Sequence, residues 1–346
     1  MTQEEILIRK YRPGDEATVI KMLHDIFGIN RTVEQWNWQF KNHVQGQAWI
    51  TVAEVRNEMV GHCCMMRNHL SLMGREIIAG QRCDTMVRSD QRGKKCFIRM
   101  GIRNYRDAAK EGVAAVFSFP NRDSYLGLVR YLGWRRITNL RYYFYRIGFQ
   151  KIWGSKIDHV FKYFQGMPIR LKYTLLRYLH KDLEIVVSSH LPEGLEDTLK
   201  EIRDYEVLSI WKDVQYLRWR YENHPDRHYT FHILNAQRRP EGLVVSTDYG
   251  KRIAICDLLH RTKDVPQSAF LLSHVLLYYQ TSTAQKIEFY GYDSGFFDAV
   301  FSACGFSIIP TSNFIFGGRV FDDKKLENLF ILPQNWTIAY GDTDVI

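Results

Sequence analysis

The segment Arg88-Ser89-Asp90-Gln91-Arg92-Gly93-Lys94-Lys95-Cys96-Phe97 sets one glycine among four basic side chains, between a strand-like run ending at Val87 and a helix-like stretch. A glycine in such a turn lets backbone amides approach a phosphate, and the following helix start offers free N–H groups and a partial positive charge. Arg92, Lys94 and Lys95 add full charges, so the residues suit a pyrophosphate cradle; an ordinary exposed turn has the same composition. From Arg88 to Lys110 there are eight Lys or Arg against Asp90 and Asp107, within a chain of net charge +9. A second basic stretch runs from Lys151 to Lys181. Focused positive potential concentrates anionic ligands. No aromatic-interleaved RNA-binding signature or DNA-reading motif accompanies it, so a nucleic-acid partner is not expected and a phosphate-rich small ligand suffices.

The flanking elements alternate in type. Strand patterns at residues 6–11, 48–55, 59–69 and 76–87, an amphipathic helix over Ala17–Phe27 and a helix opened by the cap candidate Thr32 precede the basic turn. A helix of about two dozen residues ending near Gly112 is expected after it, since the periodic pattern continues that far. The apolar run Ala114–Phe119, stopped by Pro120-Asn121, then a helix to Gly133 and a strand from Arg135 to Phe149 complete an α/β arrangement of mixed, mostly antiparallel strands.

The chain then repeats itself. Trp38-Gln39-Phe40-Lys41-Asn42-His43 is matched by Trp219-Arg220-Tyr221-Glu222-Asn223-His224, Cys83-Asp84 by Cys256-Asp257, and Gly133-Trp134 by Gly305-Phe306. Three matches in one order imply two copies of one fold. The expected organisation is a first domain over 1–149, a basic connector over 150–182, a second over 183–320, whose last strand lies near Asn313–Phe316, and a tail over 321–346 without a clear partner. A length of 346 residues and 45% hydrophobic content accommodate two cores.

No stretch reaches the ~18 apolar residues of a membrane span. The acidic start Met1-Thr2-Gln3-Glu4-Glu5 is unlike a signal peptide. The six cysteines include no Cys-x-x-Cys pair, so no metal site is expected, and a reducing cytoplasmic location fits their use.

The element order, the basic turn, Phe119-Pro120-Asn121 and Tyr131-Leu132-Gly133-Trp134 resemble the GNAT superfamily of acyl-CoA-dependent N-acyltransferases. The resemblance covers residues 5–149 well and 183–318 as a degenerate repeat. It is closest to tandem GNAT enzymes that acylate nucleotide-linked amino sugars. It implies acyl-CoA as co-substrate and an amine acceptor, here an anionic nucleotide sugar. The implied donor site comprises Met86, Val87, Arg88, Arg92, Gly93, Lys94, Lys95 and Cys96, with Asn121 and Ser124 at the pantetheine arm. Asp84 would orient or deprotonate the amine, since an alkylammonium must lose a proton before attacking a thioester; an ion pair with Arg82 or another basic neighbour is the structural alternative. His62 is a second candidate base.

The chain departs from the GNAT pattern in three places. Lys95 and Phe97 stand where the loop has small residues. Val129 replaces the tyrosine that protonates the departing thiolate, leaving Tyr125, Tyr131 or water for that step. The second copy reads His260-Arg261-Thr262-Lys263-Asp264, without glycine, and is not expected to bind CoA. A GNAT-fold module without activity, or a transferase taking aminoacyl-tRNA, are the other readings.

Overall fold

The computed structural model describes residues 5–147 and 167–344. Most of the expected connector falls outside these residues. The chain is a mixed α/β protein whose strand pairs are mostly antiparallel, and it forms two compact units. The first comprises residues 1–70, 76–138 and 313–332, and the second residues 71–75, 139–312 and 333–346.

In the first unit β1 (Leu7–Lys10), β2 (Trp49–Val55) and β3 (Glu58–Leu72) pair antiparallel, followed by β4 (Arg75–Val87). Arg56 and Asn57, both left-handed, form the two-residue turn that hairpins of this twist favour. Of the apolar stripe Val19, Met22, Leu23, Ile26 and Phe27 expected on helix α1 (Asp15–Phe27), the first three are buried, while Ile26 is partly and Phe27 largely exposed at the helix end. Helix α2 (Val33–Trp36) starts at Thr32, which accepts from the Gln35 amide, and continues as a π-helical turn over Asn37–Lys41.

The helix after the basic turn, α3 (Cys96–Ala109), is shorter than expected. Gly93 (φ 80°) and Lys95 (φ 63°) are left-handed, and a right-handed helix cannot propagate through them. Next come β5 (Ala115–Ser118), α4 (Arg122–Leu132) and β6 (Arg135–Arg146), with Gly133 closing α4 in a left-handed cap. Trp49, Met65, Tyr105, Val116, Leu132 and Trp134 form one core cluster, and Val60, Cys63 and Met100 belong to another.

The second unit contains α5 (Met167–Leu179), β7 (Leu183–Ser188), α6 (Leu195–Tyr205), β8 (Leu208–Ile210) and α7 (Val214–Leu217). Then follow β9 (Thr230–Ala236), β10 (Arg239–Asp248), β11 (Arg252–His260), α8 (Val265–Tyr278), β12 (Lys286–Gly291) and α9 (Phe296–Ala303). Helix α6 was not anticipated, although Leu195, Leu199 and Ile202 recur at helical spacing and are buried. Helix α7, like α2, runs into a π-helical turn, here over Arg218–Glu222. Trp38 and Trp219 occupy its second position, and Asn42 and Asn223 end it with similar backbone angles.

The strands that end each half differ from the sequence expectation. Residues Arg141–Arg146 of β6 pair with β12 in the second unit. Strand β13 (Ser307–Val320), expected only near Asn313–Phe316, is far longer than that, and its end, Gly317–Val320, pairs with β5 in the first unit. The tail does have partners: α10 (Lys324–Phe330) is followed by β14 (Trp336–Thr337), which pairs with β8. Among the described residues, no helix is long and apolar enough to cross a membrane.

Candidate active site

Strands β4 and β5 run parallel only from Ala79↔Ala115 to Gln81↔Phe117. The Ser118 hydroxyl donates to the Arg82 carbonyl at 2.6 Å. Beyond this tie the strands part, and a cleft of about 590 Å³ opens. Thr85, Met86 and Val87 line it from β4; Asn121, Ser124, Gly127 and Tyr131 from the start of α4 onward; and Ile26 and Phe27 from the end of α1. The basic turn forms part of the lining through Gln91, Arg92, Gly93, Lys95, Cys96 and Phe97.

Within that turn the charges are unequally placed. Arg88 is engaged outside the cleft, bonding Asp90 at 2.7 Å and Glu58 at 3.0 Å. Lys94 is not among the lining residues, whereas Lys95 is. A Cβ on Gly93 would meet open space, so the glycine serves backbone conformation (φ 80°). Lys95 is the residue preceding the helix, and no side chain caps the first-turn amides of α3. A 14-residue helix with an uncapped start beside Arg92 and Lys95 suits an anionic phosphate group. Cys96 is buried, and burial pushes its thiol above the ordinary value, so it contributes backbone and volume rather than a nucleophile.

Phe97, the departure from the small-residue pattern, is accommodated locally. The Arg82 guanidinium lies 5.0 Å from its ring centroid. Opposite, a Cβ on Gly127 would stand only 3.1 Å from the ring. Gly127 of α4 leaves room for the Phe97 ring, and the cleft remains open.

Asp84 sits in β4 with φ 42°, which breaks the alternation that would have placed it on one face with Arg82 and Met86. Its carboxylate accepts from Arg31, in an ion pair whose two side chains are 13% and 11% exposed. Arg82 does not take this part: it donates to Thr85 at 3.1 Å and Tyr105 at 3.3 Å. Arg31, 53 positions upstream, had no signal in the sequence around the turn. His62 Nδ1 donates to the Asp84 carbonyl at 2.7 Å. A carbonyl only accepts, so the proton is on Nδ1 and Nε2 carries a lone pair. Nε2 is buried with no hydrogen-bond partner among the described residues, and burial holds the ring below its ordinary pKa. Asp84 and His62 are therefore in direct contact; neither is among the lining residues, although Thr85 next to Asp84 is.

Asn121 caps α4, its Oδ1 accepting from the Ser124 amide at 2.9 Å. This leaves its Nδ2 as a donor at the cleft. Tyr131 is half-exposed and lines the cleft, whereas Tyr125 does not. Met86, Val87, Arg92, Gly93, Lys95, Cys96, Asn121, Ser124 and Tyr131 are thus brought together, while Arg88, Lys94, Asp84 and His62 stand off the cleft wall. Phe27, Ile26 and Gly127 were not foreseen, because nothing in an exposed helix end or a mid-helix glycine marks it as part of a cleft.

Residues 7–137 match the family model of the acetyltransferase (GNAT) domain. No curated protein matches the sequence. The fold is similar to that of a GCN5-related N-acetyltransferase from Anabaena variabilis, with TM-score 0.64 at 9% identity over 91% of this chain and 73% of that one. A GCN5-related N-acetyltransferase from Kribbella flavida gives TM-score 0.61 at 10% identity over 92% and 72%. The glucosamine N-acetyltransferase region of a fungal multi-domain GH3 beta-N-acetylglucosaminidase gives 0.61 at 11% identity, over 92% of this chain and 38% of that one. At these identities the likeness is one of fold. Together with the family match, it means that residues 7–137 have the fold of the acetyltransferase (GNAT) domain to which they are similar.

Proposed function

We propose that the chain moves an acyl group from acyl-CoA to a primary amine by direct attack, and that the acceptor is the amino group of a nucleotide-linked amino sugar. The observation that carries the donor half is the cleft where β4 and β5 part after Gln81↔Phe117, with the start of α3, Arg92 and Lys95 on its wall. The pyrophosphate of CoA would rest on the α3 amides and these two cations, and the pantetheine arm would pass Asn121. The thioester carbonyl would face the β4 backbone at Met86 and Val87, where an N–H donor stabilises the oxyanion.

The amine lone pair attacks the carbonyl carbon, a C–N bond forms and the C–S bond breaks. The ammonium proton leaves toward Asp84, whose backbone carbonyl holds His62, or toward water. The thiolate takes a proton from Tyr131, the tyrosine present in the cleft. The sugar assignment is supported by the chain's excess of 47 Lys and Arg over 38 Asp and Glu, which suits an anionic acceptor better than a cationic aminoglycoside. The fold likeness to the fungal glucosamine N-acetyltransferase region supports an amino sugar, without bearing on the nucleotide.

The test is thiol release from acetyl-CoA with four acceptor classes: nucleotide-linked amino sugars, free amino sugars, polyamines and aminoglycosides. Turnover fastest with the nucleotide-linked sugar is expected. Selectivity for a cationic amine would overturn the acceptor, and no acetyl-CoA binding in a thermal-shift assay would overturn the donor. A melting shift with tRNA alone would favour the aminoacyl-tRNA reading.

A further inference from the structure

The second unit contains a counterpart of the donor cleft. Strands β11 and β12 pair in parallel only from Arg252↔Lys286 to Ala254↔Glu288. Gln81 and Ala254, the last paired residues of β4 and β11, each lie two positions before a Cys-Asp pair. Beyond the last pair on the other strand, Asn121 and Tyr292 each follow by four positions. The register of the parting strands is therefore the same in both units.

Where the first unit is open, the second is filled by its own chain. Ile338 exchanges two backbone hydrogen bonds of 2.8 Å with Tyr292. Arg220 donates to the Gly341 carbonyl at 3.1 Å and to the Thr343 carbonyl at 2.8 Å. Lys212 joins Asp342 (2.8 Å) to Asp257 of β11 (2.5 Å). A Cβ on Gly341 would overlap the Tyr221 hydroxyl and stand 3.0 Å from Asp257 Oδ2, so only glycine fits against the strand there. Lys263, in the loop after β11, donates to Thr337 at 3.0 Å and pairs with Glu206 at 3.2 Å, so its charge is engaged internally. The space left beside Leu258, Leu259 and Ala339 is about 20 Å³, too small for more than a water molecule.

We propose that residues 336–343 are an internal peptide ligand that seals the second unit's counterpart of the donor cleft, so that each chain binds one acyl-CoA, in the first unit. The stoichiometry rests on the donor reading given above; the peptide's seat does not. It explains why the loop after β11 can dispense with glycine: no phosphate needs to approach its backbone.

The test uses the full chain. Calorimetric titration with acetyl-CoA should give one site, and hydrogen exchange should show slow amides across 336–343. Gly341→Val should speed exchange at least ~100-fold in that segment and in residues 257–260, as local opening would. If Gly341→Val does not fold, Asp342→Ala, which removes the Lys212 contact without adding bulk, replaces it with the same expectation. Two acetyl-CoA per chain, or wild-type amides at 336–343 exchanging like a free peptide, would overturn the proposal. No bound acetyl-CoA with a slowly exchanging tail would uphold the peptide's seat and sink the donor reading instead.

Discussion

Arg31 reaches Asp84 from the position directly ahead of a helix cap, Thr32. Lys212 stands directly ahead of the cap Asp213 and reaches Asp257 in the same way. Each basic residue ties the start of a short helix that becomes π-helical to the aspartate of a Cys-Asp pair. Because the arrangement occurs in both units, and in the second the counterpart of the cleft is filled by the chain itself, the ion pair is part of the architecture. Any catalytic part for Asp84 is added to that.

Asp84→Asn should therefore destabilise the fold by about 3 kcal/mol, since it leaves Arg31 largely buried without its counter-charge. Arg31→Met combined with Asp84→Leu should recover much of that loss. If Asp84 also takes or orients the amine proton, turnover per folded molecule in Asp84→Asn should fall ~10²-fold and recover partly at high pH. Melting curves and a pH–rate profile on the same preparations separate the two effects; turnover near wild type per folded molecule would leave deprotonation to water.

The basic turn offers a cleaner test. Lys95→Gly removes a cleft-lining charge and relieves a left-handed conformation, so it should not lower the melting temperature. Combined with Arg92→Ala it should raise the acyl-CoA KM at least ~10-fold, the equivalent of one or two charge-assisted phosphate contacts. Arg88→Ala, whose partners are Asp90 and Glu58, should leave KM unchanged. A KM that does not move in the double variant would remove the turn from the donor site.

Gly127 and Phe97 make a paired prediction. Gly127→Leu would force a side chain into the ring that already lies 3.1 Å from a Cβ there, and should narrow the cleft and weaken acyl-CoA binding. Phe97→Ala should restore binding in the Gly127→Leu background. Titration calorimetry on the single and double variants checks this, and additive losses would show that the two residues do not share one space.

Much of the site was legible because its signals are local. The Gly93 turn among basic residues, the Asn121 cap and the strand ends at Met86 and Val87 each show in a few consecutive residues, and all line the cleft. What was not legible depends on distant pairing. The Arg31 partner of Asp84 lies 53 residues away, and the partner of the β13 end is β5, about two hundred residues upstream. The Cys-Asp match between the halves is visible in the sequence, but the basic partners differ in residue type, Arg31 against Lys212, and so carry no repeat signal. The tail from Trp336 to Thr343 is too short and mixed for a readable periodicity: a two-residue strand beside β8, a bridge at Tyr292 and a 3-10 turn over Tyr340–Asp342 follow one another within it. Its burial cannot be read from its own pattern.

That burial has a pH consequence. Asp342 and Asp257 share the ammonium of Lys212, and Tyr221 donates to Asp257. Two carboxylates against one cation leave an uncompensated buried charge. Burial, reinforced by Asp257 and opposed by Lys212 and the Ala339 amide, pushes Asp342 up to about 6 from its ordinary 3.8. The folded state thus holds a proton that the unfolded chain has released in that window. Its stability should fall as pH rises from about 4 to about 6 and level off above, by linkage. Asp342→Asn, which resembles the protonated form and cannot titrate, removes this dependence. The melting temperature of wild type minus that of Asp342→Asn should therefore decrease between pH 4.5 and 7. A difference that is flat, or that grows with pH, would mean that Asp342 stays ionised throughout and that Lys212 satisfies both carboxylates.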